Sequence, residues 1–520
     1  MKLHNVVFPQ PESTAGPVPP KLWDISLVDG VVKLIEPASD ADAGSNTQDS
    51  DIANHLLLPS LCHPHLHLDK AYLLTSSGCC RDSSDEPNYS DLLPQTGSFA
   101  EALRTTAIAK ARFTAADLRR RGLQLLATSY TQGVTSARVF VEVDAQAVGQ
   151  GTVAVAVARE LKELFGKSGR LDLQVCAFAQ EVLFTGEAGT ANRAAMVAVL
   201  ETNRKEGDDR DATIAVLGVT PYVEATREQS LQNMDWAVTT ALEYGLHLDL
   251  HLDYNLKEYD GSSAQAPNEP LIFALLEALV RHKWTERAVY GRKEGKRTKT
   301  RTVVVGHATQ LTCLPRAQLA RLANIIQKYQ LPVYFVGLPT SDLYMMGRQS
   351  AVTPEETPLQ KLGALRGTLP VPTLIREFGL RACLGVNNVG NAFTPYGTGD
   401  PLHLACWCVG LCHAGTGPDA RLLYGSISWR AWEAIGMGGD SDNMVDWGKS
   451  IDRPEEQLLG KKFGPVLVIA NRRYIELPLL SQPAGLTAKE TALNRILARP
   501  RLGFRDVVWD PPDISLRKVV

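Results

Sequence analysis

Three of the eleven histidines fall within five residues, at His63, His65 and His67 of LCHPHLHLDK. Side chains two apart on a β-strand share a face, so His65 and His67 can offer two imidazoles to one ion. A second group stands in HLDLHLD, where alternation puts His247, Asp249, His251 and Asp253 on a common face, and VVVGHAT supplies His307. The chemistry open to such a set is water activation by one divalent metal, with neutral imidazoles as ligands and a spare histidine or carboxylate to move the proton. His65, His67 and His251 are the expected ligands. His247 and His251 also fit the i, i+4 spacing of a zinc-protease helix, but strict apolar alternation and the preceding Gly245 favour a strand. His63 has the parity of the pair, one step deeper, and is expected as a packed group behind it.

Bringing such distant segments together demands a fold whose strand ends converge. Between residues 56 and 415, short β-branched runs alternate with amphipathic stretches. Strands are expected near 56–68, 134–144, 172–181, 212–223, 247–253, 301–309, 331–338 and 381–388. Helices are expected near 114–129, 151–165, 191–204, 226–244, 269–282, 317–328, 372–379 and 401–413. Eight such pairs predict an α/β chain with a closed (β/α)8 TIM-type barrel and its site at the C-terminal strand ends. Short β segments in 1–37 and 464–477 predict a small composite β-sandwich domain built from both termini. The expected division is 1–58, 59–440 and 441–520. Residues 74–99 and 339–371 follow strands one and seven as lids, with Asp342 and Tyr344 as substrate contacts on the second. The polar stretch 38–51 and the basic stretch 292–301 read as solvated loops.

Composition narrows the function classes. With 54 Lys+Arg against 57 Asp+Glu (54 − 57 = −3) there is no basic surplus for nucleic acid. The longest apolar runs fall far short of the roughly 20 residues of a membrane span. The start, MKLHNVVFPQ, lacks the pattern of a secretion signal, and nine scattered cysteines, two of them adjacent at Cys79 and Cys80, suit reduced thiols. A cytoplasmic protein with a small-molecule substrate is expected; assembly into a homo-oligomer is left open.

In chain order, HPHLHLDKAY, QVCAFAQE, TPYVEATRE, DLHLDYN, VVGHATQ and LGVNNVGNAFTPYG together resemble the amidohydrolase superfamily. Within it the similarity is to the cytosine deaminase-like branch that includes N-isopropylammelide amidohydrolase-like enzymes, and it covers the whole barrel and both β flanks. The resemblance implies one Zn or Fe ion held by His65, His67, His251 and the strand-eight residue. It also implies His307 at the attacking water or substrate, Gln180 bonded to substrate and Phe393 against its ring. Strand four, AVLGVTPYVEA, lacks the lysine that bridges two metals in other branches, which favours a mononuclear site.

Two positions depart from the branch. Tyr254 stands at the substrate where its deaminases carry a proton-shuttling glutamate. Asn387, followed by Asn388, replaces an aspartate that is both ligand and general base. An amide oxygen can contact a metal but takes no proton, which leaves His307 or Asp253 for that step and an ion weakly held or absent. Three readings stay open: a hydrolase of a C–N bond (deamination, or cyclic amide or amidine hydrolysis) in a small nitrogen-containing metabolite; a barrel redirected to isomerisation, cyclisation or elimination; and a non-catalytic metabolite-binding protein. An engineered inactivation would leave the same sequence.

Overall fold

The computed structural model describes residues 1–9, 20–38, 52–75, 87–145, 150–206, 213–259, 269–290, 299–347, 365–438, 444–449, 451–477 and 495–520. Cys79, Cys80, most of the polar stretch 38–51, and parts of both lids and of the basic stretch lie outside the described residues.

Strands β1 (Lys2–Val7), β2 (Trp23–Val28), β3 (Val31–Pro37) and β4 (Ile52–Pro59) lead into barrel strands β5 (Leu61–His67), β6 (Val134–Glu142), β7 (Asp172–Ala179), β8 (Ile214–Val219) and β9 (His247–Leu252). A ribbon of β10 (Val289–Tyr290) and β11 (Lys299–Thr300) precedes the last barrel strands, β12 (Val303–His307), β13 (Val333–Gly337) and β14 (Ala382–Leu384). The barrel strands pair in parallel in the order β14-β13-β12-β9-β8-β7-β6-β5. Each falls within an expected run, and their alternation with helices is what forces the parallel crossover.

The expected strand 56–68 is two strands. β4 belongs to the terminal sheet and β5 to the barrel, with the break at Ser60. There the Ser60 amide donates to the Pro465 carbonyl (3.1 Å), while the Pro59 and Ser60 carbonyls accept from the Tyr424 and Ser428 hydroxyls (2.8 and 2.6 Å). The sequence hides such a change of sheet because the residues on both sides of Pro59-Ser60, Leu56–Leu58 and Leu61–Cys62, are apolar and buried.

β14 has only three residues, so the seam to β5 is closed beyond its end. The Asn387 amide donates to the His65 carbonyl (3.0 Å), and the His67 amide donates to the Asn387 carbonyl (2.8 Å). Asn387 has φ +68°, a left-handed conformation that Asn tolerates better than most residues.

Helices α1 (Phe99–Arg112), α2 (Ala115–Thr131), α3 (Gln150–Lys167), α4 (Gly186–Glu206), α5 (Arg227–Tyr244) and α6 (Leu271–Arg281) cover the first half of the barrel. α5 starts on a Thr226/Gln229 capping box and stops at Gly245, whose φ of +64° ends the helix and releases His247 into β9. That turn settles the strand reading of HLDLHLD. The main core lies between the strands and this helical layer, with smaller apolar clusters inside the barrel.

β15 (Val466–Arg472) and β18 (Arg517–Val519) join β1–β4 in one six-stranded mixed sheet, in the order β18-β15-β4-β1-β2-β3, with its own core around Trp23, Leu57, Trp447 and Phe463. Beside it, β16 (Tyr474–Glu476) and β17 (Arg495–Leu497) form a two-stranded ribbon. Among the described residues no helix is long and apolar enough to cross a membrane.

Candidate metal and catalytic site

β5 carries a register irregularity between His63 and Leu66, over Pro64, which has no amide hydrogen to give the ladder. The irregularity breaks the expected parity. His63 turns to the helical layer, where its Nε2 meets the Ser129 hydroxyl of α2 (3.2 Å), while Cys62 packs among the barrel's interior residues. His65 and His67 approach His251 of β9, and one ligand atom from each of the three lies within 4.8 Å of the others. The Nε2 atoms of His65 and His251 are 2.7 Å apart.

The walls around them are aromatic. The Phe140 ring lies 4.1 Å from His65 and the Phe178 ring 4.5 Å from His251. On the β12 side the backbone comes close: a Cβ on Gly306 would stand 3.0 Å from His65 Cε1, so only glycine leaves the ring room. Burial, aided by neighbouring histidines and Lys70, pushes all three imidazoles well below their ordinary pKa. They are therefore neutral, which is the form that ligates metal.

Below the histidines runs a buried polar column. Asp249 Oδ1 is 3.7 Å from His65 Nδ1, and its Oδ2 accepts from Arg138 (2.6 Å). Arg138 Nε donates to Gln174 Oε1 (2.7 Å), whose amide reaches the Ile435 carbonyl (3.0 Å). Burial outweighs Arg138 and pushes the Asp249 carboxyl up to about 7.

The arrangement fits a divalent ion. Three buried neutral imidazoles converge, the His67 Nδ1 has no hydrogen-bond partner, and the buried Asn387 side chain stands against His67. Such an orphaned polar atom is costly unless something satisfies it. Three nitrogens and an amide oxygen are a donor set that Zn or Fe accepts.

His307 stands at the end of β12 with φ +65°, and its Nδ1 is paired with Asp342 Oδ1 at 2.7 Å. Asp342 Oδ2 accepts from the Thr368 hydroxyl (2.7 Å). That partnership fixes the ring and leaves its Nε2 free for chemistry. The Tyr254 ring packs 4.1 Å from the His307 ring.

A narrow cleft opens over these groups. Of the expected residues it is lined by His67, His251, His307, Asn387, Gln180, Phe393 and Tyr254. Three expectations are corrected. Asp253 does not face the cavity: its two carboxylate oxygens accept from the Leu271 and Ile272 amides (2.7 and 3.0 Å), capping α6. Asp342 is turned away from the cavity onto His307, as a positioning group. Tyr344 packs at a tilt against Tyr396 (6.0 Å between ring centres) and does not line the cleft. The lids do contribute, through Phe99 from the first and Ser341 and Met345 from the second.

Residues overlooked in the sequence include Tyr222, Asn388 and Lys70. Lys70 follows directly on the histidine motif and could have been found there as a cation at a strand end. Its Nζ donates to Glu142 Oε1 at 2.5 Å, and Lys110 bridges Glu142 Oε2 (2.8 Å) and Asp144 (2.7 Å). Burial alone would raise Glu142, but Lys110 and Lys70 hold it at about 2.

No protein-family model and no curated protein matches the chain. Solved structures do. A 5-methylcytosine deaminase from Klebsiella pneumoniae liganded with phosphonocytosine is 20% identical, with a TM-score of 0.63 over 90% of this chain and 92% of that one. The N-isopropylammelide isopropylaminohydrolase from Burkholderia multivorans ATCC 17616 is 16% identical, with a TM-score of 0.57 over 91% and 95%. The chain therefore has the fold of these amidohydrolase superfamily enzymes, the superfamily its strand-end motifs resemble.

Proposed function

We propose that the protein is a metal-dependent hydrolase of a C–N bond in a small nitrogen-containing molecule, by deamination or by opening of a cyclic amide or amidine. The observation that carries this reading is the convergence of His65, His67 and His251, all buried and neutral, under a cavity that His307 also faces. Likeness of fold to a deaminase and an aminohydrolase supports the same class of reaction.

His65, His67 and His251 would hold the ion, with Asn387 Oδ1 as the fourth donor. When bound, a divalent ion lowers the pKa of water and polarises the carbon under attack. The chain's own part is positioning and proton transfer. Gln180 hydrogen-bonds the ring edge, and Phe393 and Tyr254 wall its faces and exclude water. His307 takes a proton from the attacking water at Nε2 and returns it to the leaving nitrogen, while Asp342 stabilises the imidazolium between the two steps. Asn387 accepts a hydrogen bond or a metal bond but no proton, so the base has moved to His307.

Ammonia or amine release across a panel of cyclic amides, amidines and aminated heterocycles tests the reading. Turnover that chelation abolishes and added zinc or iron restores supports it. Conversion of a panel member without water incorporation, unaffected by chelator, replaces it with the redirected barrel. Asn387→Asp sharpens the outcome: an added anionic ligand and base beside the ion raises metal retention and hydrolysis, whereas a redirected barrel loses native activity to the new charge.

A further inference from the structure

Among the described residues that line the cleft there is no Asp or Glu, while Lys70 is one of them. Three nearby acids are engaged elsewhere, Asp342 on His307, Asp253 on the α6 amides and Glu142 on two lysines, while Asp69 and Glu181 act on Lys70 from outside the lining.

Lys70 is rigidly placed. Its turn is fixed by the buried Arg121, which donates to the Asp69 and Ala71 carbonyls (2.6 and 2.9 Å) on either side of it. The side chain is 2% exposed, and its Nζ lies 4.9 Å from the centre of the Phe393 ring. An ammonium has three N–H donors. Glu142 takes one, and no other described residue accepts from Nζ. Glu142 is shared with Lys110, and Asp69 and Glu181 add negative charge nearby, so what Lys70 offers the cleft is its spare N–H donors. A buried ammonium with spare donors over a cavity is costly unless an acceptor arrives.

We infer that the substrate is an anion: a planar ring bearing a carboxylate or an acidic ring oxygen, which docks on Lys70 Nζ beside the Phe393 face. This takes the cavity to be the substrate site of the hydrolase proposed above. The aromatic walls of Phe99, Phe393 and Tyr254 select a flat ring, and Lys70 selects its charge. A purely structural Lys70, present only to pair with Glu142, gives no preference between a charged ring and its neutral analogue.

Nicotinate and nicotinamide are a matched pair for the test, alike in size and different in charge. Calorimetric titration of the purified protein should show nicotinate bound at least about tenfold tighter, the worth of one charge-assisted hydrogen bond. The preference should survive chelation, since Lys70 and not the ion provides it, and should persist in Lys70→Arg and vanish in Lys70→Gln. Should Lys70→Gln fold poorly, with Glu142 left a single cation, the double variant Lys70→Gln/Glu142→Gln removes the pair together and should also lose the preference. Equal affinities, tighter binding of nicotinamide, no binding of either ring at millimolar concentration, or a preference kept in both Gln variants each overturn the inference. Because binding is read without turnover, a protein that prefers nicotinate but holds no metal and hydrolyses nothing refutes the hydrolase reading alone.

Discussion

β5 and β14 meet at the barrel seam, and they solve different problems there. β5 is seven residues long and delivers two candidate ligands, His65 and His67, both against the Phe140 ring, with His65 also confined by the close backbone at Gly306. β14 is three residues long, and what continues it is Asn387, whose backbone is held from both sides by β5 while its buried side chain stands against His67. The backbone task at residue 387 is a left-handed turn that closes the seam, which Asn and Asp perform almost equally well. The chemical task is a charge, which only Asp performs. The seam can therefore form with either residue at 387, and the candidate ligand histidines stay in place beside it.

The largest effect is expected on the β5 side of that comparison. His251→Ala, which removes one of three imidazoles, should lower metal affinity by more than about 100-fold, beyond what loss of an outer-shell partner does. Metal-binding titration checks this; unchanged affinity would place the ion elsewhere. Arg138→Met leaves Asp249 buried without its cation and should cost about 3–5 kcal/mol in denaturant unfolding. A cost below 1 kcal/mol would mean the column under His65 is not under tension.

On the β14 side smaller changes are expected. Asn387→Ala forces a Cβ residue without a polar side chain into φ +68° and should destabilise the metal-free protein by about 1–2 kcal/mol. No loss would detach the seam from the conformation of this residue. Asn387→Asp keeps the turn but buries a carboxylate, so it should lower the melting temperature of the chelated protein slightly and raise that of the metal-loaded one. A gap between loaded and chelated forms that fails to widen would put residue 387 outside the ion's reach.

Much of this was legible in the sequence, for a physical reason. Barrel strands buried on both faces read as apolar runs, and helices between them carry caps such as Thr226 and Gly245, so all eight strand–helix units fall at their expected positions. The three ligand candidates were readable because period-two alternation governs β9 and the end of β5. Alternation failed at His63, where Pro64 disturbs the ladder, and at Ser60, where the chain changes sheet between two buried apolar segments. Asp253, Asp342 and Tyr344 were misplaced because type and strand-end position do not reveal direction: the Asp253 oxygens are taken up by the amides of α6, and Asp342 by His307. Lys70 was overlooked because a lysine reads as surface until its burial beside Glu142 and Phe393 is known.

The central claim is that His65, His67 and His251 hold one divalent ion. Elemental analysis of protein purified without chelator, run beside His65→Ala, tests it most directly. The account predicts close to one equivalent of zinc or iron in the unaltered chain and a background level in the variant. Background metal in both, after growth and dialysis with either ion supplied, would contradict it.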